Sequence, residues 1–303
     1  MSFHSNPSRV LTWAAAFLLC EISKAAATDV TNIDRLPYRI THSGAYQVME
    51  DLHFEQLRGA AISVEADDVT IDLNGATLSG TADANTLAVG IQSSSRSRIK
   101  IANGRITGFY FGIDLRAPTD GQVRSHVVSD LVLSHNQYFG MRVVGAQSEV
   151  QRCTILDTGG STRPSHTIPH GVRLAGAGNV MRNCQIIDLR LKRFDDGKGE
   201  IVGVHFDAAK DAIFERNLVM ETRNEADDSS RPDDAKERAF GIWINGGPGN
   251  DSMVEVRNNT FIGFQVPVVF APGSDGRASA NFFYDADEKP VRGKPAVQTP
   301  KRR

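Results

Sequence analysis

The chain has 303 residues, 40% hydrophobic and 23% charged, which is ordinary globular composition for one large domain or two modest ones. A formal net charge of -2 gives no global basic field, so nucleic acid is not an expected partner. Frequent glycine (27) with only 7% aromatic residues suits a turn-rich β architecture better than a helical one.

The N-terminus has the layout of an export signal. Arg9 supplies a short positive region, residues 10–20 are apolar, and Ala25-Ala26-Ala27 offers a small-residue cleavage site before Thr28. The apolar run is too short to span a membrane. Bulky Leu19 stands before Cys20, where a lipoprotein signal has a small residue, so lipidation is not expected. The expectation is a signal peptide over 1–27 and a periplasmic or secreted product. Cys153 and Cys184 remain after cleavage; export permits a disulfide between them, but one pair is no disulfide scaffold.

The next signal is repetition. The phrase glycine, apolar, any residue, apolar recurs as Gly90-Ile91-Gln92-Ser93 (with serine in the last place), Gly112-Ile113-Asp114-Leu115, Gly140-Met141-Arg142-Val143, Gly171-Val172-Arg173-Leu174, Gly203-Val204-His205-Phe206 and Gly241-Ile242-Trp243-Ile244. Pro267-Val268-Val269-Phe270 is a variant without the glycine. The glycines are 22, 28, 31, 32 and 38 residues apart. A second phrase comes after each first one, rich in β-branched residues and often ending in Asn, as in Ile99-Lys100-Ile101-Ala102-Asn103-Gly104 and Val254-Glu255-Val256-Arg257-Asn258-Asn259. Asn suits a recurring tight turn because it tolerates left-handed backbone. A unit this short cannot bury its own apolar face, whereas stacked units share a continuous core. The fold expected is all-β, a single-stranded right-handed parallel β-helix over 28–285. The Pro-, Lys- and Arg-rich stretch 286–303 reads as a disordered basic tail.

Ile40-Thr41-His42-Ser43-Gly44-Ala45-Tyr46 followed by Asp68-Val69-Thr70-Ile71-Asp72-Leu73-Asn74-Gly75 resembles the opening of right-handed parallel β-helix proteins of the pectate-lyase-like superfamily. The resemblance covers roughly Ile40 to Tyr284. It implies the fold and leaves activity open, since that superfamily includes lyases, hydrolases, epimerases and non-enzymatic binders.

If the apolar residues of the first phrase face the core, the residue between them faces out. Stacking then puts Gln92, Asp114, Arg142, Arg173, His205, Trp243 and Val269 in one column, with Arg116, Val144, Ala175, Asp207 and Asn245 two residues further on. Arginine pairs bidentately with carboxylates, Trp243 offers a flat face to a sugar, and His205 can exchange a proton near neutral pH. The irregular stretches 159–169, 192–199 and 223–237 stand just before the phrases of Arg173, His205 and Trp243 and are expected to wall the groove. His170 breaks the apolar run of residues preceding each glycine (Val89, Phe111, Phe139, Val202, Phe240) and is either a core residue or turned into the groove.

Pro169-His170-Gly171 only faintly resembles the Gly-His-Gly phrase of polygalacturonases, and the paired aspartates of that family have no counterpart, so their activity is not carried over. The Asp-Pro-His-Asp phrase of mannuronan epimerases is absent. Asp195-Asp196, Asp227-Asp228 and Asp233-Asp234 suggest calcium only weakly, without regular ligand spacing. No cofactor and no metal site is expected.

The reading is a polysaccharide-active protein, monomeric, without a membrane span. Its ligand is an acidic, uronate-containing polysaccharide, acted on by β-elimination or epimerisation. Arg142 and Arg173 would hold the sugar carboxylate, His205 would be the base or acid, and Asp207 or Asp114 would orient it; Asp114, His170, Trp243 and Asn245 would bind substrate. The alternatives are a non-catalytic carbohydrate-binding or envelope scaffold protein and a glycoside hydrolase. The export signal makes a direct prediction: mass spectrometry of the exported protein should find its N-terminus near Thr28, and a retained Met1 overturns the reading.

Overall fold

The structure is a computed structural model that describes residues 29–117, 124–162, 168–190, 200–222, 238–246, 252–264, 266–284, 286 and 290–293. The signal-peptide stretch and the basic end 294–303 lie outside the described residues. Every regular element among the described residues is a strand, and all the strand pairings are parallel. No helix among them is long and apolar enough to cross a membrane.

The chain winds as a right-handed parallel β-helix of three-sided coils. Face 1 is a ten-stranded sheet that contains all the glycine phrases, from Tyr38–Ile40 to Val291–Arg292. Its last strand pairs with Val266–Phe270, so two residues of the stretch read as a tail extend face 1. Faces 2 and 3 carry the second phrases and form one seventeen-stranded sheet, because Lys100–Thr107 and Val127–Ser134 run unbroken around the corner between them. That corner needs a left-handed residue in each coil. Asn74, Asn103, Asn183 and Asn258 take it with φ of 53°, 64°, 54° and 56°, as the recurring asparagine implies.

The residue after this corner points inward. In successive coils it is Cys153, Cys184, Asn217, Asn259 and Asn281, all buried. The side-chain oxygen of Asn259 accepts from the Asn217 backbone N–H (2.9 Å), and its amide donates to the Phe214 carbonyl (2.9 Å). Asn281 repeats both bonds one coil on, to the Asn259 N–H and the Val256 carbonyl. Backbone groups that the bend removes from the ladder are satisfied this way inside the core. Cys153 and Cys184 are the same column with free thiols, the Cys153 N–H directed at the Cys184 sulfur at 3.4 Å.

Within each glycine phrase the apolar residues face inward as expected: Ile113, Met141, Val172, Val204 and Ile242 are fully buried, as are Leu115, Val143, Leu174, Phe206 and Ile244. The glycine faces inward too. A β-carbon at Gly171 would stand 2.6 Å from the Gly203 carbonyl oxygen and 2.8 Å from the Ile186 side chain. The glycine is therefore required by the closeness of the next coil. Two consecutive inward positions break strict alternation, so the residue before the glycine lies on the outer side of face 1.

Two substitutions test this packing by thermal unfolding. Phe206→Asp puts a charge at a fully buried site and should cost more than about 4 kcal/mol, enough to prevent folding. Gly171→Ala should cost about 1–3 kcal/mol through overpacking. Unchanged unfolding in either variant contradicts the orientation assigned to that residue.

Candidate functional site

The outer side of face 1 carries the column anticipated from the repeats. The pairing register sets Gln92 beside Asp114, Asp114 beside Arg142, Arg142 beside Arg173, Arg173 beside His205, His205 beside Trp243 and Trp243 beside Val269. The second column is in register as well: Val144, Ala175, Asp207 and Asn245 are successive partners, and Arg116 sits at the equivalent position opposite Ser94.

The carboxylates in these columns bind arginine. Asp114 is almost completely buried, and Arg142 grips it bidentately (Nε–Oδ1 2.7 Å, Nη2–Oδ2 2.9 Å) while Arg116 Nε stands 3.1 Å from Oδ2. Asp207 accepts from Arg173 Nη2. The expectation that Asp207 or Asp114 orients His205 is thus corrected: each faces a guanidinium, whose fork geometry and full charge make it the stronger partner.

The residues that precede the glycines form a second, outer cluster. Phe111, Phe139 and His170 stack as a staircase of rings that ends on the column residue His205, with centroids 5.1, 4.6 and 5.3 Å apart and interplanar angles of 4°, 8° and 19°. Tyr110 and Tyr138 stack on each other beside it (5.2 Å) and pack edge-on to Phe111 and Phe139. Tyr110 and Tyr138, just before the strands of Asp114 and Arg142, thereby fold over the edge of the sheet and wall the column. Thr162 reaches back across the coils to Ala84, its N–H donating to that carbonyl at 3.1 Å, and Gln137 Nε2 donates to the Ala82 carbonyl. Further up, Ile168 and Trp243 pack against Val202, Phe240 and Val266, with Trp243 edge-on to Phe240 at 4.7 Å. Residues 163–167 and all of 192–199 and 223–237 lie outside the described residues, as do the acid pairs Asp195-Asp196, Asp227-Asp228 and Asp233-Asp234.

His170 therefore belongs neither to the inner core nor to an open groove. It is buried between Phe139 and His205, and its Nδ1 lies 2.8 Å from the Ile168 carbonyl oxygen, which can only accept. Burial lowers its pKa to about 3, helped by His205 and Arg173, so the neutral ring carries its proton on Nδ1. Burial likewise lowers His205 to about 4, and the neighbouring Arg173 charge adds to the shift. His205 Nε2 and Arg173 Nε are buried polar atoms without a hydrogen-bond partner among the described residues, and they belong to register neighbours. Such atoms are costly to a fold and cluster where chemistry or binding occurs. The centre of the column thus holds one neutral imidazole nitrogen and one guanidinium N–H on neighbouring strands, both buried.

Sequence reasoning misses the wall. It does not single out Tyr110, Phe111 or Tyr138 as site residues, and it gives Arg116 only a place in the second column. A signal is present: Phe111, Phe139 and His170 occupy one repeat position, and an inward glycine beside an inward aliphatic turns that position outward.

No family model matches the sequence, and no curated protein matches it. Among solved structures, the chain is similar to the enzymatically active domain of tailspike protein 2 of bacteriophage CBA120, with a TM-score of 0.53 and 13% identity over 84% of this chain and 39% of that one. It is similar also to the full-length tailspike protein 2 from an Escherichia coli O157:H7 bacteriophage, with a TM-score of 0.52 and 13% identity over 84% of this chain and 35% of the other. The chain spans well under half the length of either. At this identity the likeness establishes the fold alone: the chain is an all-β parallel β-helix of the kind these tailspikes contain.

Proposed function

We propose that the chain is an exported polysaccharide-active protein of the periplasm or the medium that lays an acidic, uronate-containing polysaccharide along face 1. Its kinship is with the pectate-lyase-like β-helix proteins, and it works as a monomer without a cofactor. The observation that carries the reading is the adjacency of Arg173 and His205, each with a buried nitrogen that has no partner among the described residues, at the centre of a charged column walled by aromatic residues. That one of the similar tailspike domains is described as enzymatically active agrees with a catalytic role on such a scaffold.

The chemistry that suits these groups is proton abstraction beside a sugar carboxylate. Such a step needs the carboxylate charge offset and a base at the proton. Arg173, aided by Arg142, offsets the charge through donors not used by Asp207 and Asp114. His205 Nε2, neutral above pH 4, takes the proton. Loss of the leaving group then completes β-elimination in a lyase, and reprotonation from the other side completes inversion in an epimerase. Asp207 holds Arg173 in place, and Trp243 and Asn245 continue the track on the next coil. Hydrolysis is the weaker reading. Asp114 and Asp207 are three coils apart, about 14 Å at the spacing of neighbouring strands, beyond the separation of a glycosidase carboxyl pair, and both are tied to arginine. Binding without turnover is the second reading, favoured by the same ion pairs, since guanidinium groups held in place suit recognition as well as catalysis.

Incubation with a panel of acidic polysaccharides separates the readings through unsaturated ends, reducing ends or retention alone. Arg173→Ala should weaken binding about 10- to 100-fold, the worth of a charge-assisted hydrogen bond, with thermal unfolding nearly unchanged. Raising ionic strength to about 1 M should weaken wild-type binding as well. His205→Ala should abolish turnover and spare binding in an enzyme, and change little in a scaffold. An affinity indifferent to both Arg173→Ala and salt contradicts the proposal.

The pH profile gives a further prediction. A base works in its neutral form, and His205 loses that form only as pH falls through about 4. The acid limb of kcat/KM should therefore lie near 4 instead of the 6.5 of an ordinary imidazole. A limb at about 6.5 excludes the buried His205 as the base.

A further inference from the structure

A second constellation lies on face 1 three coils before His205. Gln92, Asp114, Arg116 and Arg142 from the two columns, with Tyr110 and Phe111 from the wall, line an open depression of about 260 Å³. Its floor is fixed. Asp114 is clamped by Arg142 and approached by Arg116, and the Arg142 guanidinium lies 4.6 Å from the Phe111 ring centroid. Asp114 is the only acid among the described residues that line the depression. One carboxylate thus faces two guanidinium groups and leaves one positive charge uncompensated. Arg116 presents it, since its side chain is 48% exposed while that of Arg142 is 20% exposed.

The register fixes where this charge stands. Asp114 pairs with Arg142, Arg142 with Arg173, and Arg173 with His205. Three steps of about 4.8 Å put roughly 14 Å between the depression and the imidazole. One coil advances by nearly the length of one pyranose unit in an extended glycan, so the two places would be occupied by units about three apart in the same chain.

We propose that this depression is a distal subsite for an anionic sugar unit, and that it makes binding depend on the length of the oligosaccharide. The inference rests on face 1 being a glycan track. The ring edge packs beside Tyr110 and Phe111, and the anion pairs with Arg116, with Gln92 able to donate from the preceding coil. A carboxylate and a sulfate ester share the chemistry that a guanidinium recognises, and both belong to anionic glycans.

The test is calorimetric titration of the full chain, at low salt, with two size ladders running from disaccharide to hexasaccharide: oligogalacturonates and chondroitin sulfate oligosaccharides. The expected result is a step of about tenfold in affinity between the trisaccharide and the tetrasaccharide in at least one ladder, the worth of one charge-assisted hydrogen bond. Arg116→Gln should remove the step and Arg116→Lys should retain part of it. A step confined to one ladder assigns the anion as carboxylate or sulfate and supports the subsite either way. Affinity that grows evenly with length, or a step that survives Arg116→Gln, overturns the subsite and leaves the track standing. No binding in either ladder at any length overturns both.

Discussion

A β-carbon at Gly112 would lie 2.5 Å from the Gly140 carbonyl oxygen, and the same close approach joins Gly140 to Gly171, Gly171 to Gly203 and Gly203 to Gly241. This contact is the constraint on which face 1 depends. It lets each coil sit directly on the next at one point, and that point fixes the register of the whole strand. Slipping by one residue would put a side chain against a carbonyl oxygen and turn every outward residue into the core. Because the contact repeats, outward residues fall into straight columns, and a column is what brings Asp114, Arg142, Arg173 and His205 together from segments 28 to 32 residues apart in sequence.

The opposite corner of the coil solves a different problem with the same stacking. A left-handed residue bends the chain there, and its neighbours lose ladder partners inside the core. The column Asn217, Asn259, Asn281 supplies both a donor and an acceptor at each level, so the bend is buried without orphaned backbone groups. Cys153 and Cys184 occupy the two preceding levels with a sulfur that only weakly replaces the amide: the Cys153 N–H meets sulfur at 3.4 Å, while the Cys184 N–H meets the Asn217 oxygen at 2.9 Å.

How much of this is legible in the sequence depends on which features repeat. The glycine phrase recurs with its spacing, so the fold, the inward Phe206 and Ile244, and the column from Gln92 to Val269 can be read directly. The orientation of the residue before the glycine cannot be read by strict alternation, which fails where Gly171 and Val172 both face inward; His170 is ambiguous in the sequence for that reason alone. The pairing of Asp207 with Arg173 is equally hidden. It joins the second column of one coil to the first column of the coil before, and both His205 and Arg173 lie within one coil of that carboxylate in the sequence pattern. Only side-chain reach and hydrogen-bond geometry choose between them. Tyr110 and Tyr138 share one repeat position, two residues before Gly112 and Gly140, but the later coils put Pro169, Ile201 and Ala239 there, so the repeat does not mark that position as aromatic.

The ion pairs on face 1 bear on what such a column can recognise. Two arginines one coil apart would repel across about 4.8 Å if both were bare, and each would lose the freedom of a long side chain when a ligand arrives. Asp114 and Asp207 remove much of both costs: they offset the repulsion and hold each guanidinium in one position before anything binds. Neither acid uses all the donors of its partner. Arg142 retains Nη1, and Arg173 reaches Asp207 through Nη2 and keeps Nε. The column is therefore near neutral in total charge yet lined with oriented N–H groups, next to imidazoles that burial keeps uncharged. A surface of this kind attracts anions weakly at long range and holds them by geometry at short range. Were the ligand the anionic glycan proposed above, such a surface would select for the spacing of its anionic groups more than for their number.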